Sequence, residues 1–434
     1  MMTVLYNVLL ALAALILIPY YAVKIALTGK YRKSIAAKFG FIPPEALARI
    51  KGAPCIWIHA VSVGEVTAAA PVISALRQAR PGACIVLSTS TETGRDMAEK
   101  TASAASLLIY YPLDIPWVVR SVLDRVKPDV FVLVETELWP NFLRICASRR
   151  IRTVMVNGRV SPRSYGRYVM TRFFWKRVLA LVDEFGAISA VDAERLARMG
   201  APRSRVRIIG NAKYDGLAAK VDPSLYDEMS EKLAIPPGSM VLVAGSTHEG
   251  EERIVLSVYL KLREIYPGII LILVPRHVER ADDVCSLVVE MGVPHAVRMT
   301  EINAGKRRDG RDVIVVDVIG ELFKVYSVAT VVYCGGSLVA KGGQNILEPA
   351  AWGKVVLYGP SMEDFVDERE ALEQVGAGIM IHDEQELFGR LRALIGDATF
   401  LAEKGERGRE VVTSNMGASR RYAELVLEVL SKTS

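Results

Sequence analysis

The sequence lacks the short motifs that mark several large classes of enzyme. It contains no GxxxxGK[ST] phosphate loop, no GxGxxG, no HExxH and no GxSxG. Because these motifs supply phosphate, zinc or nucleophile geometry, P-loop NTPases, NAD-dependent dehydrogenases, zinc proteases and α/β-hydrolases are disfavoured. The cysteines show no CxxC or metal-ligand spacing, which predicts reduced core residues and no metal site: Cys55, Cys84, Cys146, Cys285 and Cys334.

Charged side chains are absent from the first 23 residues. A helix of that length would span ~34 Å, more than the ~30 Å hydrocarbon core of a bilayer, so residues 1–27 are predicted to form a membrane anchor. Pro19 allows the alternative of a kinked helix that lies in the interface. A cleaved signal peptide is disfavoured, because the positive charges follow the apolar stretch instead of preceding it.

Basic residues cluster directly after this apolar stretch, at Lys24, Lys30, Arg32, Lys33 and Lys38. The positive-inside rule predicts that this flank, and the chain after it, stays on the cytoplasmic side of the membrane. A net charge of +6 over 434 residues is modest, so the cluster indicates an anionic surface and not a nucleic-acid groove.

Length and composition predict two folded domains. The chain has 434 residues, 51% of them hydrophobic and 24% charged, which is too long for one ordinary core and too apolar for disorder. From residue 50 onward, short β-branched runs alternate with amphipathic stretches, which is the pattern of βαβ units. The predicted fold is α/β, with two facing, doubly wound Rossmann-like domains whose ligands bind beyond the carboxyl ends of the strands.

The domain boundaries follow from changes in this pattern. Residues 28–220 contain seven predicted strands, and residues 239–412 contain six more. Residues 221–238 are rich in Pro, Asp and Lys, which predicts a linker. Residues 413–434 carry apolar side chains at helical spacing, which predicts a closing helix that packs back on the first domain.

Polar residues directly after a strand are the first candidates for a site. His59, Ser62 and Glu65 follow the first predicted strand and are expected to face a ligand. Glu65 lies at the start of a helix, where a carboxylate is stabilised by the helix dipole. It is therefore interpreted either as a helix cap or as a general base at the mouth of a cleft.

Two further positions in the first domain carry charge after a strand. Glu135 and Glu137 follow the strand at residues 130–134, and Pro140 opens the next helix. For Glu137, a structural role as a helix cap and a functional role explain its position equally well. Lys213 follows the last strand, where it either places a cation in the cleft or is an exposed linker lysine.

Loops of the second domain have the composition of an anion site. Residues 244–252 follow a strand and open a helix, so their N–H groups are predicted to hold a phosphate. Arg276 follows the next strand and offers a guanidinium suited to phosphate. Gly336, Asn345 and Glu348 belong to glycine-rich loops that permit close approach of a ligand; a capped loop without ligand is the alternative.

These segments together resemble the 3-deoxy-D-manno-octulosonic acid (Kdo) transferases over essentially the whole chain. The resemblance rests on five phrases: His59-Ala-Val-Ser-Val-Gly-Glu65, Glu135-Thr-Glu-Leu-Trp-Pro-Asn141, Ala244-Gly-Ser-Thr-His-Glu-Gly-Glu-Glu252, Val274-Pro-Arg-His277 and Gly342-Gly-Gln-Asn-Ile-Leu-Glu-Pro349. One departure is at residues 340–345, where Lys341 and Gln344 replace the histidines of the Pro-His-Gly-Gly-His-Asn-like phrase expected in the family.

The resemblance implies a GT-B fold and an inverting transfer of Kdo from CMP-Kdo to a glucosamine hydroxyl of the lipid A precursor lipid IVA. It implies no bound metal and no cofactor, and an enzyme at the cytoplasmic face of the inner membrane. Glu65 matches the proton acceptor, while Glu135 and Lys213 match positions that stabilise the transition state. The CMP-binding positions it implies are Pro275, Arg276, His277, Gly320, Glu321, Leu322, Gly336, Ser337, Asn345, Ile346, Leu347 and Glu348.

Two other functions stay open on the sequence. Another GT-B enzyme, such as a nucleotide-sugar epimerase or a UDP-sugar transferase, would share the two-domain plan but not the phrase from His59 to Glu65. A non-enzymatic membrane scaffold would keep its function without Glu65 and Arg276. The number of Kdo residues transferred does not follow from these motifs.

Overall fold

The computed structural model describes residues 4, 6–12, 15, 32–218, 220–310 and 313–432. They form two compact units, Met1–Gly216 with Asn415–Ser434, and Leu217–Ser414. The membrane helix predicted for residues 1–27 falls mostly outside the described residues. Within the part of the chain that is described, no helix has both the length and the apolar character needed to cross a bilayer.

The first unit is built on a seven-stranded parallel sheet in the order β3-β2-β1-β4-β5-β6-β7. Its strands are β1 Cys55–His59, β2 Cys84–Thr89, β3 Leu107–Tyr110, β4 Val130–Val134, β5 Arg152–Gly158, β6 Glu184–Ala187 and β7 Val206–Ile208. Its helices are Arg32–Lys38, Pro44–Leu47, Val63–Ala79, Glu92–Thr101, Pro116–Val126, Pro140–Ser148, Pro162–Met170, Arg172–Leu179, Ala190–Met199, Lys213–Ala218 and Ala418–Ser431. The predicted doubly wound α/β sheet is confirmed.

Helices cover both faces of this sheet, which is why its central strands β1 and β4 are buried throughout and do not alternate. Every residue of β1 is buried. Successive side chains of a strand point to opposite faces, so Trp57 joins one core cluster while Ile56 and Ile58 join the other. Trp57 lies in register with Phe131 of β4, and this pairing of β1 with β4 reverses the strand order at the centre of the sheet.

The helix Ala418–Ser431 belongs to the first unit and completes one of its two faces. The hydroxyl of the buried Tyr422 donates to the Gly210 carbonyl at 2.7 Å. A Cβ at Gly186 would overlap the Tyr422 ring, so only glycine permits this approach. Asp215 accepts from the N–H groups of Gly417 and Ser419, which satisfies donors at the helix start.

The second unit repeats the plan with a parallel sheet in the order β10-β11-β9-β8-β12-β13-β14. Its strands are β8 Val241–Thr247, β9 Ile270–Pro275, β10 Ala296–Arg298, β11 Val313–Val315, β12 Val331–Cys334, β13 Val356–Tyr358 and β14 Gly378–Met380. Its helices are Ser224–Lys232, Glu251–Ile265, Ala281–Glu290, Met299–Asn303, Leu322–Val325, Leu347–Ala351, Val366–Val375, Glu384–Gly396 and Ala398–Ser414.

Two features of the second unit differ from the sequence-based expectation. The three-residue edge strand β10 was not predicted, because so short a run carries no period of its own. Residues 221–238, expected to be a linker without helix, contain the helix Ser224–Lys232 and belong to the second unit. Met229 of this helix is fully buried, so tertiary packing outweighs the turn-forming composition of the segment.

Candidate functional site

Glu65 is held at the start of the helix Val63–Ala79, directly after β1. Its Oε2 accepts from the Val61 N–H at 2.7 Å, and its Oε1 accepts from the Ser62 hydroxyl at 2.9 Å. Ser62 is the N-cap residue, and its hydroxyl accepts in turn from the Glu65 N–H. The geometry is close to a capping box, so Glu65 does serve as a helix cap. With 8% of its surface exposed, it is also nearly buried.

The environment of Glu65 favours the protonated carboxyl. Burial is the largest influence and, together with the charge of Glu137, raises its pKa to about 8. The N–H of Val61 opposes this shift, whereas the charge of Glu135 adds to it. Three carboxylates thus share one region at the carboxyl edge of the first sheet. An acidic group with a pKa close to neutral is what a general base requires.

Glu135 and Lys213 form an ion pair in the same region, with 3.1 Å between Lys213 Nζ and Glu135 Oε1. Both side chains are partly exposed, at 21% for Glu135 and 23% for Lys213. The Glu135 backbone is left-handed, with φ of 57°. A non-glycine residue in that conformation is uncommon, and such strain clusters at functional sites.

Lys213 is placed by contacts between strand ends. Asn157, at the end of β5, is buried and left-handed with φ of 51°. Its Oδ1 accepts from the Ala212 N–H at 2.9 Å, while Asn211 Oδ1 accepts from the Lys213 N–H at 3.0 Å. The structure therefore brings Glu65, Glu135 and Lys213 together, although they come from three separate parts of the sequence.

His59 does not face a ligand, and that expectation is wrong. It is fully buried and stacks on Tyr111, with 3.6 Å between ring centroids. Its Nδ1 lies 3.1 Å from Ser88 Oγ. Burial lowers the His59 pKa to about 3, so the ring is neutral. As the last residue of a strand covered on both faces, His59 points into the core.

Asp114 is a residue that the sequence did not single out. Its carboxylate accepts from the N–H groups of Asn141 at 3.0 Å and Phe142 at 2.8 Å, at the start of the helix Pro140–Ser148. These bonds replace a local cap, because Trp139 at the N-cap position forms no side-chain cap bond. The acceptor is 27 residues from its partner, so no local motif reveals it.

In the second unit, Glu251 accepts from the N–H of His248, one of the groups predicted to hold phosphate, and from N–H groups of the loop after β12. This fully buried carboxylate accepts from the N–H groups of His248 at 2.9 Å, Gly336 at 2.7 Å and Ser337 at 3.1 Å. It also accepts from the Leu338 N–H at 3.0 Å and from the hydroxyl of Tyr333 at 2.8 Å. The prediction that N–H groups of residues 244–252 hold a phosphate is therefore wrong for His248, whose N–H donates to Glu251. The N–H groups of Gly336 and Ser337, two predicted CMP-binding positions, also donate to Glu251.

Glu251→Ala is expected to destabilise the second unit by about 3 kcal/mol or more, because several buried N–H groups would lose their acceptor at ~1–3 kcal/mol each. Thermal and urea unfolding of the full chain measure this change. The matched control is Glu249→Ala, an exposed neighbour expected to change stability by less than about 0.5 kcal/mol. Equal unfolding midpoints for the two variants would contradict the structural role of Glu251.

Cationic side chains gather beyond β8 and β9. Arg276 and His277 follow the buried Pro275 at the end of β9 and are exposed. The His277 ring lies 5.8 Å from the ring of His248. Burial lowers the pKa of His248; the charge of Glu251 opposes this shift, whereas His277, Lys341 and Arg276 add to it. Several positive groups that act on one position indicate a site for an anion.

The glycine-rich segment leads into the short helix Leu347–Ala351 beside this cationic region. Asn345 Oδ1 accepts from the Leu347 N–H at 3.2 Å, and its Nδ2 donates to Glu348 Oε1 at 3.2 Å. Burial raises the pKa of Glu348, while Lys220 and Arg276 oppose the shift. Ile346 and Leu347 are buried, so their side chains support the segment from within the core.

The turn at Gly320, Glu321 and Leu322 also lies near the end of β8. A Cβ added at Gly245 of β8 would approach Leu322 Cδ1 to 3.1 Å. Glu321 is engaged by two cations, with Lys232 Nζ and Lys324 Nζ each at 3.6 Å. Gly320 is left-handed, with φ of 93° and open space where a Cβ would lie.

Comparison with known proteins finds the same family in both parts of the chain. A family model described as 3-deoxy-D-manno-octulosonic-acid transferase (kdotransferase) matches residues 33–216. The 3-deoxy-D-manno-octulosonic acid transferase of Haemophilus influenzae is 31% identical over 409 residues, 93% of this chain and 93% of that protein. The transferase of the same name from Chlamydia pneumoniae is 28% identical and covers 96% of this chain and 94% of its own length.

Solved structures resemble the whole two-unit plan. UDP-GlcNAc 2-epimerase from Neisseria meningitidis matches with a TM-score of 0.59 at 16% identity, over 87% of this chain and 100% of the epimerase. A glycosyltransferase from Rickettsia africae matches with a TM-score of 0.54 at 14% identity, over 87% of this chain and 98% of its own. These similarities concern the fold, which is GT-B-like.

Proposed function

This chain belongs to the 3-deoxy-D-manno-octulosonic acid (Kdo) transferase family, and on that premise we propose that it transfers one or more Kdo residues from CMP-Kdo to a glucosamine hydroxyl of lipid IVA. The observation that carries the proposal is the placement of Glu65 beside the Glu135–Lys213 ion pair at the carboxyl edge of the first sheet. Ligands of doubly wound domains bind at that edge.

In the proposed mechanism, Glu65 removes the proton from the acceptor hydroxyl as its oxygen attacks the anomeric carbon of Kdo. The bond from that carbon to the CMP phosphate breaks, and the configuration inverts. The nearly buried carboxylate is held by Val61 and Ser62, so it needs little reorganisation before it accepts the proton.

Fixed cations in each unit complete the proposal. Lys213 of the first unit would stabilise negative charge in the transition state, and Arg276 of the second unit would bind the leaving phosphate. The positive groups around His248 support an anionic nucleotide in the second unit. Because these side-chain cations take the place of a metal ion, the proposed transfer does not depend on a metal.

The charge of Glu137 is expected to raise the pH at which Glu65 becomes an active base, in addition to the larger effect of burial. Because Glu137 raises the pKa of Glu65, the Glu137→Gln variant should lower it from about 8. A general base acts when deprotonated, so kcat/KM rises with pH through this pKa, and the rising limb should move to lower pH. Glu99→Gln, an exposed carboxylate elsewhere in the first unit, is the control. An unmoved limb in Glu137→Gln would contradict this assignment.

We also propose that the protein works at the cytoplasmic face of the inner membrane, where its lipid acceptor lies. Apolar side chains that are exposed on the first unit support this: Phe39, Phe41, Leu113, Trp117, Met170 and Phe173. The Leu113 N–H donates to the Lys38 carbonyl at 2.8 Å, which brings Leu113 close to Phe39, the residue after Lys38. Arg167, Arg172 and Lys176 accompany Met170 and Phe173, as in helices that bind anionic bilayers.

Vesicles of brominated phosphatidylglycerol are expected to quench Trp117, which is 70% exposed, if this surface meets the bilayer. The Trp117→Phe variant should therefore lose the larger part of the lipid-dependent quenching. Trp352→Phe is the control, because Trp352 lies in the second unit and donates to the Phe323 carbonyl. Quenching that persists in Trp117→Phe would place the bilayer contact elsewhere.

The transfer itself is tested with the purified full chain, CMP-Kdo and lipid IVA, and the product is analysed by mass spectrometry. We expect Kdo-bearing lipid, with the mass reporting how many residues are added. UDP-GlcNAc as donor should give neither transfer nor epimerisation, which distinguishes the related GT-B activities. Folded protein that yields no product from CMP-Kdo would refute the proposal.

A further inference from the structure

The described part of the N-terminal segment is helical and contacts the first unit through two neighbouring polar residues. The Tyr6 hydroxyl donates to Asp114 Oδ2 at 2.9 Å, and the Tyr6 ring lies 6.0 Å from the ring of Phe174. Asn7 Oδ1 accepts from Asn141 Nδ2 at 2.7 Å. Leu9 of the same helix is exposed. Polar groups in an apolar segment are costly to desolvate without partners, and both of these have one.

Asp114 and Asn141 connect these contacts to the start of the helix Pro140–Ser148. Asp114 accepts from the N–H groups of Asn141 and Phe142. In addition, Asn141 Nδ2 donates to the Asp114 carbonyl at 2.7 Å. Tyr6 and Asn7 therefore join a single hydrogen-bonded network that satisfies donors at the N-terminus of this helix.

Glu135 and Glu137, whose charges act on Glu65, lie on the short loop that ends at this helix. At its beginning, the Glu135 N–H donates to the Val156 carbonyl at 3.0 Å. At its end, Pro140 is the first residue of the helix, and it lines a common cavity with Tyr6. Only the residues from Glu135 to Trp139 span the two attachments, so we expect a shift of the helix start to be transmitted to Glu137 and, through it, to Glu135. Small displacements of catalytic groups lower turnover strongly.

We propose that Tyr6 and Asn7 are positioning residues of the transferase: through Asp114 and Asn141, the N-terminal helix holds the loop that carries Glu135 and Glu137. This inference rests on the proposed Kdo transfer. It assigns the N-terminal helix a role in turnover that is separate from membrane attachment. If the N-terminal helix were only a membrane tether, it would need no hydrogen bond to the first unit. Its polar residues could then be replaced without loss of turnover, provided that the protein stays at the membrane.

The test uses the full chain in mild detergent with CMP-Kdo and a deacylated, water-soluble glucosamine disaccharide as acceptor, so that membrane attachment does not limit the rate. Tyr6→Phe keeps the ring on Phe174 and removes only the hydroxyl. Asn7→Ala removes the second contact. Each is expected to lower kcat about fivefold, with KM for CMP-Kdo changed by less than about twofold. Leu9→Ala, on the exposed side of the same helix, should keep the wild-type kcat.

Two further measurements separate positioning from general instability. If the Tyr6 hydroxyl acts through Asp114, the losses in Tyr6→Phe and Asp114→Asn should not multiply in the double variant. Hydrogen exchange at the amides of Asn141 and Phe142 should be faster in Tyr6→Phe than in Leu9→Ala, with equal thermal midpoints. Wild-type protein without transfer would refute the proposed function itself. Active wild type with unchanged kcat in both Tyr6→Phe and Asn7→Ala would overturn this inference alone.

Discussion

Glu65→Gln is expected to lower kcat by ~10²–10⁴-fold, because it removes the proposed proton acceptor and little else. Glutamine is close to glutamate in shape, and its carbonyl oxygen can still accept from the Val61 N–H. The fold and CMP binding should therefore persist. Single-turnover kinetics with CMP-Kdo and lipid IVA measure the loss, and binding of CMP by calorimetry confirms that the second unit is intact.

The matched control separates the catalytic role of Glu65 from its role as a cap. Ser62→Ala removes the N-cap hydroxyl and one hydrogen bond to Glu65, and should cost ~1 kcal/mol in stability, yet it keeps the carboxylate and its bond to the Val61 N–H. If Glu65 acts as a base, Ser62→Ala loses stability with far less loss of turnover than Glu65→Gln. If Glu65→Gln keeps near-normal turnover and loses about as much stability as Ser62→Ala, Glu65 is only a helix cap.

Lys213→Met is expected to lower kcat by ~10²–10³-fold, because a fixed cation that stabilises the transition state is lost. The structure also supplies a competing explanation. Lys213 neutralises Glu135 across 3.1 Å, and Glu135 is one of the charges that raise the pKa of Glu65. Loss of Lys213 could therefore act indirectly, by leaving more negative charge beside the base.

The double variant Lys213→Met/Glu135→Gln distinguishes these explanations. If Lys213 only balances Glu135, removal of both charges restores turnover. If Lys213 stabilises the reacting groups directly, the double variant stays as slow as Lys213→Met. Lys213→Arg keeps the charge and should retain more activity than Lys213→Met. Recovery of kcat in the double variant would contradict the direct role.

The positions of catalytic and nucleotide-binding candidates could be predicted because they follow strands. Glu65 and Arg276 each follow an apolar run, and parallel strands end at one edge of their sheet. The same reasoning failed at His59. Sequence proximity to a strand end does not tell whether a side chain points to the ligand or to the core, and a neighbouring ring, Tyr111, decides it.

Partners distant in sequence were beyond prediction. In the local sequence, Glu251 is only an acidic residue at the start of a helix. Most of the hydrogen-bond donors that it accepts from are more than 80 residues away in the sequence. Likewise, Asp114 carries no motif, although it connects Tyr6 to the helix that follows Glu135 and Glu137. Such contacts depend on strand order, and strand order is not encoded by local periodicity.

Apolar runs and the residues that follow them were sufficient, by themselves, to determine the α/β class and two parallel sheets, because local propensity and burial set those features. The family followed from the resemblance of the motifs after the strands to those of known Kdo transferases. Only the tertiary structure decided that Glu65 is both a cap and a carboxyl with raised pKa, that Lys213 pairs with Glu135, and that Glu251 occupies backbone donors. Charge, desolvation and hydrogen bonding act through distance in space, which exists only once the strands are assembled.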